Sequence, residues 1–194
     1  MTQLRSRIRA YLGSSLDGYI AGPDNDLDWL SADHACQGDL PASPDYLDYP
    51  RFIADIGCLL MGRTTYDVVA AMPEWPYRDL PVLVASHRAL HDAPANVQVA
   101  QGSIGNLVER AGALAAGKDV YVDGGAMVRQ VVQAQLLDEL VLTWLPVLLG
   151  GGVRLFDLLP EPVALQFTSA ASAGNGLLQV SARLLPQKNS SSNR

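Results

Sequence analysis

The sequence predicts an α/β domain with a mostly parallel central sheet, closed near its C-terminal end by an antiparallel hairpin. Three observations predict it. Short apolar runs alternate with stretches of helical period between residues 8 and 137, which is the order of successive βαβ units. From residue 139 the helical period disappears, and two strand-like segments flank Gly174-Asn175-Gly176, a hairpin signal. Hydrophobic residues make up 48% of the 194 residues and charged residues 18%, enough for a packed core and too apolar for disorder.

The elements follow in order. Residues 8–13 are short and apolar, a buried strand. Residues 21–50 are the least regular part, with Pro23, Pro41, Pro44 and Pro50 and with Asp24, Asp26 and Asp28 spaced by two. A loop of this length inside a compact domain is often functional. A short helix falls within residues 46–56, and 58–61 is a buried strand ended by Gly62. A helix over 64–72 follows, with Thr64 and Asp67 spaced as a capping box. Strands over 81–85 and 97–100 precede a helix over 104–116, whose apolar stripe is Leu107, Val108, Ala111, Leu114 and Ala115. Gly117 is a fitting stop. A strand over 120–122 leads through Asp123, Gly124 and Gly125 into a helix over 126–137. A strand over 140–145 stops at Pro146, and Gly150, Gly151 and Gly152 make a loop. Strands over 163–171 and 177–185 form the hairpin. Residues 187–194 are polar and Ser-rich, a tail on a single domain spanning 1–186.

Composition excludes several functions. Fourteen Lys and Arg against twenty Asp and Glu leave a net charge of −6, which disfavours nucleic acid and anionic membrane surfaces. A small phosphate ligand needs only two or three local donors and stays possible. No 18-residue apolar run and no signal-peptide pattern occur, so a soluble cytoplasmic protein is expected. Cys36 and Cys58 do not make a disulfide framework, and neither they nor His87 and His91 have a zinc spacing. The Asp24, Asp26, Asp28 run starts like a calcium loop but has Trp29 and Ala35 where Gly and Glu are required. No metal is expected.

Three strand ends carry small or polar residues where a helix or turn begins, the place where open α/β sheets bind ligands. At the first, Gly62 permits a close turn, and Arg63, Thr64 and Thr65 lie at a helix N-terminus that suits a pyrophosphate. At the second, Ser86, His87 and Arg88 could hold a phosphate monoester. At the third, Gly124 and Gly125 before Ala126 allow close backbone approach to a phosphate. Each also has an ordinary structural reading as a cap, a solvated turn or a tight turn. The G-x-G-x-x-G, P-loop and G-x-S-x-G patterns are absent.

These strand ends, in this order, resemble the dihydrofolate reductase-like superfamily. The pieces are S-L-D-G-Y-I-A from Ser15, L-M-G-R-T-T-Y-D from Leu60, P-V-L-V-A-S-H-R from Pro81, V-D-G-G-A from Val122 and P-V-L-L-G-G-G-V-R-L-F from Pro146. They are most similar to the RibD C-terminal reductase domain of riboflavin biosynthesis and its stand-alone relatives, over roughly residues 5–185. The resemblance implies a three-layer sandwich, a homodimer with the hairpin as interface, and NADPH as cofactor. Gly62, Arg63, Thr64 and Thr65 would hold the cofactor phosphates. Ser86, His87 and Arg88 would meet the adenosine 2′-phosphate, and Gly124, Gly125 and Ala126 would pass under the pyrophosphate and nicotinamide.

The implied activity is hydride transfer to a small flat heterocycle, of pterin or aminouracil type. An NADP-binding protein without activity is the alternative. Reduction of a C=N bond needs a proton source. The resemblance points to a carboxylate on the helix before the strand that ends in Gly62, hence Asp48, with Asp17 as the other candidate. Trp29 could stack on the substrate ring or anchor the core, and Gly151 in the glycine loop would border the substrate. The deaminase half of the bifunctional riboflavin enzymes, with its zinc motif, does not occur in these residues.

Overall fold

The computed structural model describes residues 5–31, 40–157 and 159–186. Cys36 and the tail expected over 187–194 lie outside them. Among the described residues, ten strands and five α-helices follow one another as β1 (Ile8–Ser15), β2 (Tyr19–Ala21), α1 (Asp28–Ser31), α2 (Tyr49–Ala54), β3 (Ile56–Gly62), α3 (Arg63–Ala70), β4 (Val82–Ala85), β5 (Val97–Ala100), α4 (Ile104–Leu114), β6 (Asp119–Asp123), α5 (Gly125–Gln133), β7 (Glu139–Leu145), β8 (Val153–Arg154), β9 (Leu165–Ser172) and β10 (Leu178–Leu184).

Eight strands form one sheet in the order β5-β4-β3-β6-β1-β7-β10-β9. Pairing is parallel from β5 through to β7. The hairpin then adds β10 antiparallel to β7, with β9 outermost. The turn residues Gly174 and Gly176 both have positive φ, the conformation that made Gly-Asn-Gly readable as a turn.

The sheet is buried on both faces, so its central strands are apolar without alternation. Cys58 and Leu60 of β3, with Val120 and Val122 of β6, pack on one side against Leu107 and Ala111 of α4 and Val128, Val131 and Val132 of α5. Leu59 and Met61 of β3 and Tyr121 of β6 face the other side, against Phe52 of α2 and Tyr66 and Val69 of α3. This is the expected mostly parallel α/β sandwich.

Several local expectations shift. The capping box at Thr64 and Asp67 does not form: Gly62 is the N-cap of α3, without a side-chain cap bond. Asp67 instead accepts from Arg63 Nε at 2.7 Å, because an i,i+4 ion pair claims the carboxylate. The helix expected to reach residue 137 ends at Gln133. Gln135 adopts φ 56°, a left-handed conformation that stops a helix. β2 and β8, paired antiparallel, were not foreseen, since two or three residues carry no period. The long irregular segment contributes a 3-10 turn at Pro23–Asn25 and the short α1.

Candidate functional site

The C-terminal ends of the parallel strands open on a trench with two compartments. One, of about 380 Å³, has Tyr11 and Gly13 of β1, Leu27 just before α1 and Leu30 within it, and Tyr121 and Asp123 of β6 among its walls. The other, of about 280 Å³, lies between the first turn of α3, the Ala85-Ser86-His87 strand end and α5. Thr64, Thr65 and Ala126 line both, so the compartments meet across the N-terminal turns of α3 and α5. A groove of about 410 Å³ beside Arg5, Gly112 and Gly117 lies at the opposite end of the sheet, away from the three strand ends.

The trench floor depends on Gly124. Its φ is 86° and ψ 137°, and a Cβ there would overlap the Thr65 hydroxyl. The glycine therefore satisfies a backbone demand and a packing demand together, bringing the starts of α3 and α5 into contact. Gly124→Ala is expected to destabilise the fold by about 1–3 kcal/mol from the backbone term alone, with the overlap adding to it. Thermal unfolding measures the loss. Thr65→Ala in the same chain should restore the overlap part and leave the backbone part, and full restoration would assign the whole effect to packing.

The second strand end is organised by its own residues. Ser86 Oγ donates to the Arg88 carbonyl at 2.8 Å and accepts from Arg88 N at 3.0 Å, so the serine folds the turn. His87 and Arg88 are exposed there, and His87 lines the second compartment. Arg63 lines it too. Its guanidinium is already engaged: beyond Asp67, Nη1 donates to the Ala89 carbonyl at 3.1 Å, tying α3 to this turn. Gly62, Arg63, Thr64, Thr65, Ser86, His87 and Ala126 are thus assembled around one compartment, with Gly124 and Gly125 at its junction with the other.

The carboxylates are rearranged. Asp48 caps α2, accepting from Arg51 N at 2.8 Å. It is exposed and is not among the described residues that line either compartment. Asp17 accepts from Ser15 Oγ at 2.6 Å, Gly150 N at 2.8 Å and Leu149 N at 3.1 Å. Those bonds, with the Ser15 hydroxyl foremost, hold its carboxyl at about 2, and so at neutral pH it has no proton to give. It pins the 149–150 segment to the β1–β2 turn.

Trp29 is buried, 7% exposed, and its neighbours Leu27 and Leu30 form the cleft wall instead. This is the core-anchor alternative for Trp29. Gly151 has open space around it, whereas Gly152, at φ 125°, packs against the Ala21 carbonyl where no Cβ would fit.

One carboxylate not singled out from the sequence stands in the first compartment. Asp123, the last residue of β6, accepts from Tyr77 Oη at 3.0 Å and from Gly124 N at 2.8 Å. Burial pushes its carboxyl above the usual carboxylate range, against the opposing pull of Tyr77, Gly124 and Tyr121. A signal was present: an acid at the carboxyl end of an apolar strand, directly before the two glycines, sits where such sheets bind ligands. A carboxyl whose protonated form is favoured by burial, beside an open cleft, is a candidate to give a proton to a bound molecule.

Fold and trench together define a dihydrofolate reductase-like protein, of a reductase-type fold whose members typically bind a nucleotide cofactor. The model of the RibD C-terminal domain matches residues 7–179, and the chain belongs to that family. Among solved structures, a candidate riboflavin biosynthesis protein from Shewanella sp. PV-4 superposes with a TM-score of 0.74 at 29% identity, covering 93% of this chain and 99% of that one. A pyrimidine reductase-like protein from Corynebacterium diphtheriae shares the fold, with a TM-score of 0.64 at 17% identity over 94% of this chain and 93% of that one. The uncharacterised protein YwjB of Bacillus subtilis (strain 168) is 29% identical over 175 residues, 86% of this chain and 92% of YwjB. Among the described residues no helix is long and apolar enough to cross a membrane.

Proposed function

We propose that this chain is an NADPH-dependent reductase acting on a small flat heterocycle of pterin or aminouracil type. The observation that carries the reading is Asp123: a carboxyl with a raised pKa in a tyrosine-walled cleft, contiguous with a trench over two helix N-termini. When bound, NADPH supplies the hydride. In the reading, Gly62, Thr64, Thr65, Gly125 and Ala126 hold the pyrophosphate through the free N–H groups and dipoles of α3 and α5. His87 and Arg88 face the 2′-phosphate, and Arg63 braces their turn. The tyrosine wall orients the ring. Protonated Asp123 gives its proton to the nitrogen of the C=N bond (in the ring of a pterin, exocyclic in an aminouracil) as the carbon of that bond accepts the hydride, turning C=N into CH–NH, and recovers a proton from solvent. Asp123 takes the part expected of Asp48 or Asp17.

The reading includes a single domain over 1–186, a cytoplasmic setting and a homodimer through the hairpin. The outermost strand, β9, exposes Leu165 and Phe167, the latter by 66%, on an edge without a charged residue. Such an edge is open to pairing.

Titration with NADPH and NADH, followed by thermal shift, tests the cofactor, and NADPH oxidation against dihydrofolate and the aminouracil tests the reaction. No binding of NADPH at micromolar concentration ends the reading. Arg88→Ala is expected to weaken NADPH about tenfold while leaving NADH nearly unchanged. Equal loss for both would remove Arg88 from the 2′-phosphate.

A further inference from the structure

We propose that Tyr77 is a positioning residue for Asp123: its hydroxyl fixes the carboxyl in the cleft wall and steadies the carboxylate left behind when the proton is given up. The inference rests on the reductase reading above and deepens it.

The carboxyl is held at both oxygens. Oδ2 accepts from Tyr77 Oη at 3.0 Å and Oδ1 from Gly124 N at 2.8 Å. Rotation about the Cβ–Cγ bond would break both bonds, so the acid keeps one orientation in the wall of the first compartment. A carboxyl has about four lone-pair directions, and two bonds leave room for its proton.

Tyr77 is itself fixed. It is buried and lines the same compartment. Its ring meets that of Trp75 edge-on, with centroids 5.3 Å apart and planes at 83°. Leu80 N donates to the Tyr77 carbonyl at 2.9 Å, and Asn96 Nδ2 donates to the carbonyls of Arg78 at 2.9 Å and Leu80 at 2.6 Å. Inside this turn Arg78 has φ 47°, a left-handed conformation that a side chain disfavours. Strain of this kind persists where the surroundings over-determine it, and the side chain this turn delivers to the cleft is Tyr77.

The three tyrosine hydroxyls of this wall have their protons engaged. Tyr77 donates to Asp123, Tyr11 to the Leu47 carbonyl at 3.0 Å and Tyr121 to the Tyr11 carbonyl at 2.8 Å. Two further titratable or charged groups stand near Asp123. Tyr49 of α2 is raised to about 12 by partial burial and by Asp123 itself. Arg129 of α5 lines the compartment with its Nη1 committed to the Arg154 and Leu155 carbonyls. Burial holds the Tyr77 and Tyr121 hydroxyls well above their usual range. Tyr77 therefore stays a donor at working pH, and the transferable proton belongs to Asp123.

A hydrogen bond to a carboxyl is strongest when the carboxyl is ionised. As Asp123 passes its proton to the substrate nitrogen, the bonds from Tyr77 and Gly124 tighten, and Tyr77 keeps its own proton. Fixed donors aimed at charge that develops during reaction lower the barrier. Without the hydroxyl, Asp123 would be a weaker acid and a slower proton donor.

The test is Tyr77→Phe in the full chain, which removes the hydroxyl and keeps the ring. Infrared difference spectra against Asp123→Asn isolate the C=O stretch of protonated Asp123. Its loss with rising pH gives the titration midpoint without any substrate. The midpoint should rise by about one pH unit in Tyr77→Phe. A merely structural part for Tyr77 predicts the reverse, since a loosened cleft admits water and eases ionisation. A fluorinated tyrosine at position 77, a stronger donor on the same ring, should lower the midpoint, and it serves if Tyr77→Phe does not fold. NADPH oxidation, with whichever of dihydrofolate and the aminouracil the parent reduces, should slow by about tenfold or more in Tyr77→Phe. KM should stay within about twofold, and the alkaline limb should move up with the midpoint. On the Asp123→Asn background, Tyr77→Phe should change the residual rate by no more than about twofold.

An unchanged or lowered midpoint in Tyr77→Phe overturns the proposal. So does a raised midpoint with the fluorinated tyrosine, or an equal loss of rate with and without Asp123. With the parent active, each of these leaves the reductase reading standing. A parent that oxidises NADPH with neither substrate overturns that reading, and this proposal with it.

Discussion

Asp123→Asn is expected to lower the rate of hydride transfer by about 10²–10⁴-fold, the range over which a positioned proton donor acts, while NADPH affinity stays near that of the parent. The amide keeps the shape of the carboxyl and can still accept from Gly124 N. It cannot supply a proton. In the parent the rate should fall as pH rises through the raised pKa of Asp123, because only the protonated form is an acid. The variant should lose that limb of the profile.

Stability should move the other way, and the sign follows from the same cause. The folded pKa of Asp123 lies above its ordinary value because burial penalises the ionised form. Its contribution to stability is therefore fully present below the ordinary carboxylate range and lost as pH rises through the raised value. Asn carries no such penalty, so the variant should be at least as stable as the parent above neutrality. Chemical denaturation at about pH 8 checks this. A variant that loses activity and stability together would mark Asp123 as a structural carboxylate.

The contrast between what the sequence shows here and what it hides has a physical basis. β3, β6 and α4 are legible because their signals are local: an apolar run buried on both faces, or a stripe of helical period, needs no knowledge of a partner. The hairpin turn is legible because Gly174 and Gly176 must take positive φ. The three strand ends follow from the same reasoning and do converge on one trench. The roles of single side chains do not follow, since distant residues decide them. Asp123 owes its place to Tyr77, 46 residues earlier in the chain. Arg63 looks like a phosphate ligand until the Ala89 carbonyl, 26 residues on, is found in its grasp. Asp48 and Asp17 are carboxylates of suitable position whose lone pairs the backbone has already claimed.

Arg9→Met is expected to be the most destabilising exchange in the molecule, about 3–5 kcal/mol. Arg9 sits within β1 with its side chain 5% exposed. Its Nε donates to Glu139 at 2.5 Å, its Nη1 lies 3.3 Å from Asp119 and 3.5 Å from Asp55, and its guanidinium stacks 4.8 Å from the Phe52 ring centre. One cation thus gathers carboxylates from the start of β6, the start of β7 and the end of α2 at the N-terminal edge of the sheet. Methionine fills the volume but leaves Glu139 without its partner, and Asp119 held by Arg7 alone. The loss comes mainly from those stranded, half-buried charges, as removing one partner of a buried pair does.

Arg5 provides the control. It pairs with Asp138 on the same edge, yet its side chain is 69% exposed, and Arg5→Ala should change stability by no more than about 1 kcal/mol. The trench opens at the other end of the sheet, so Arg9→Met protein that remains folded should bind NADPH as the parent does. Urea denaturation of both variants separates the cases: similar losses would mean that burial does not set the worth of the Arg9 cluster, and that Phe52 packing or main-chain pairing carries this edge of the sheet.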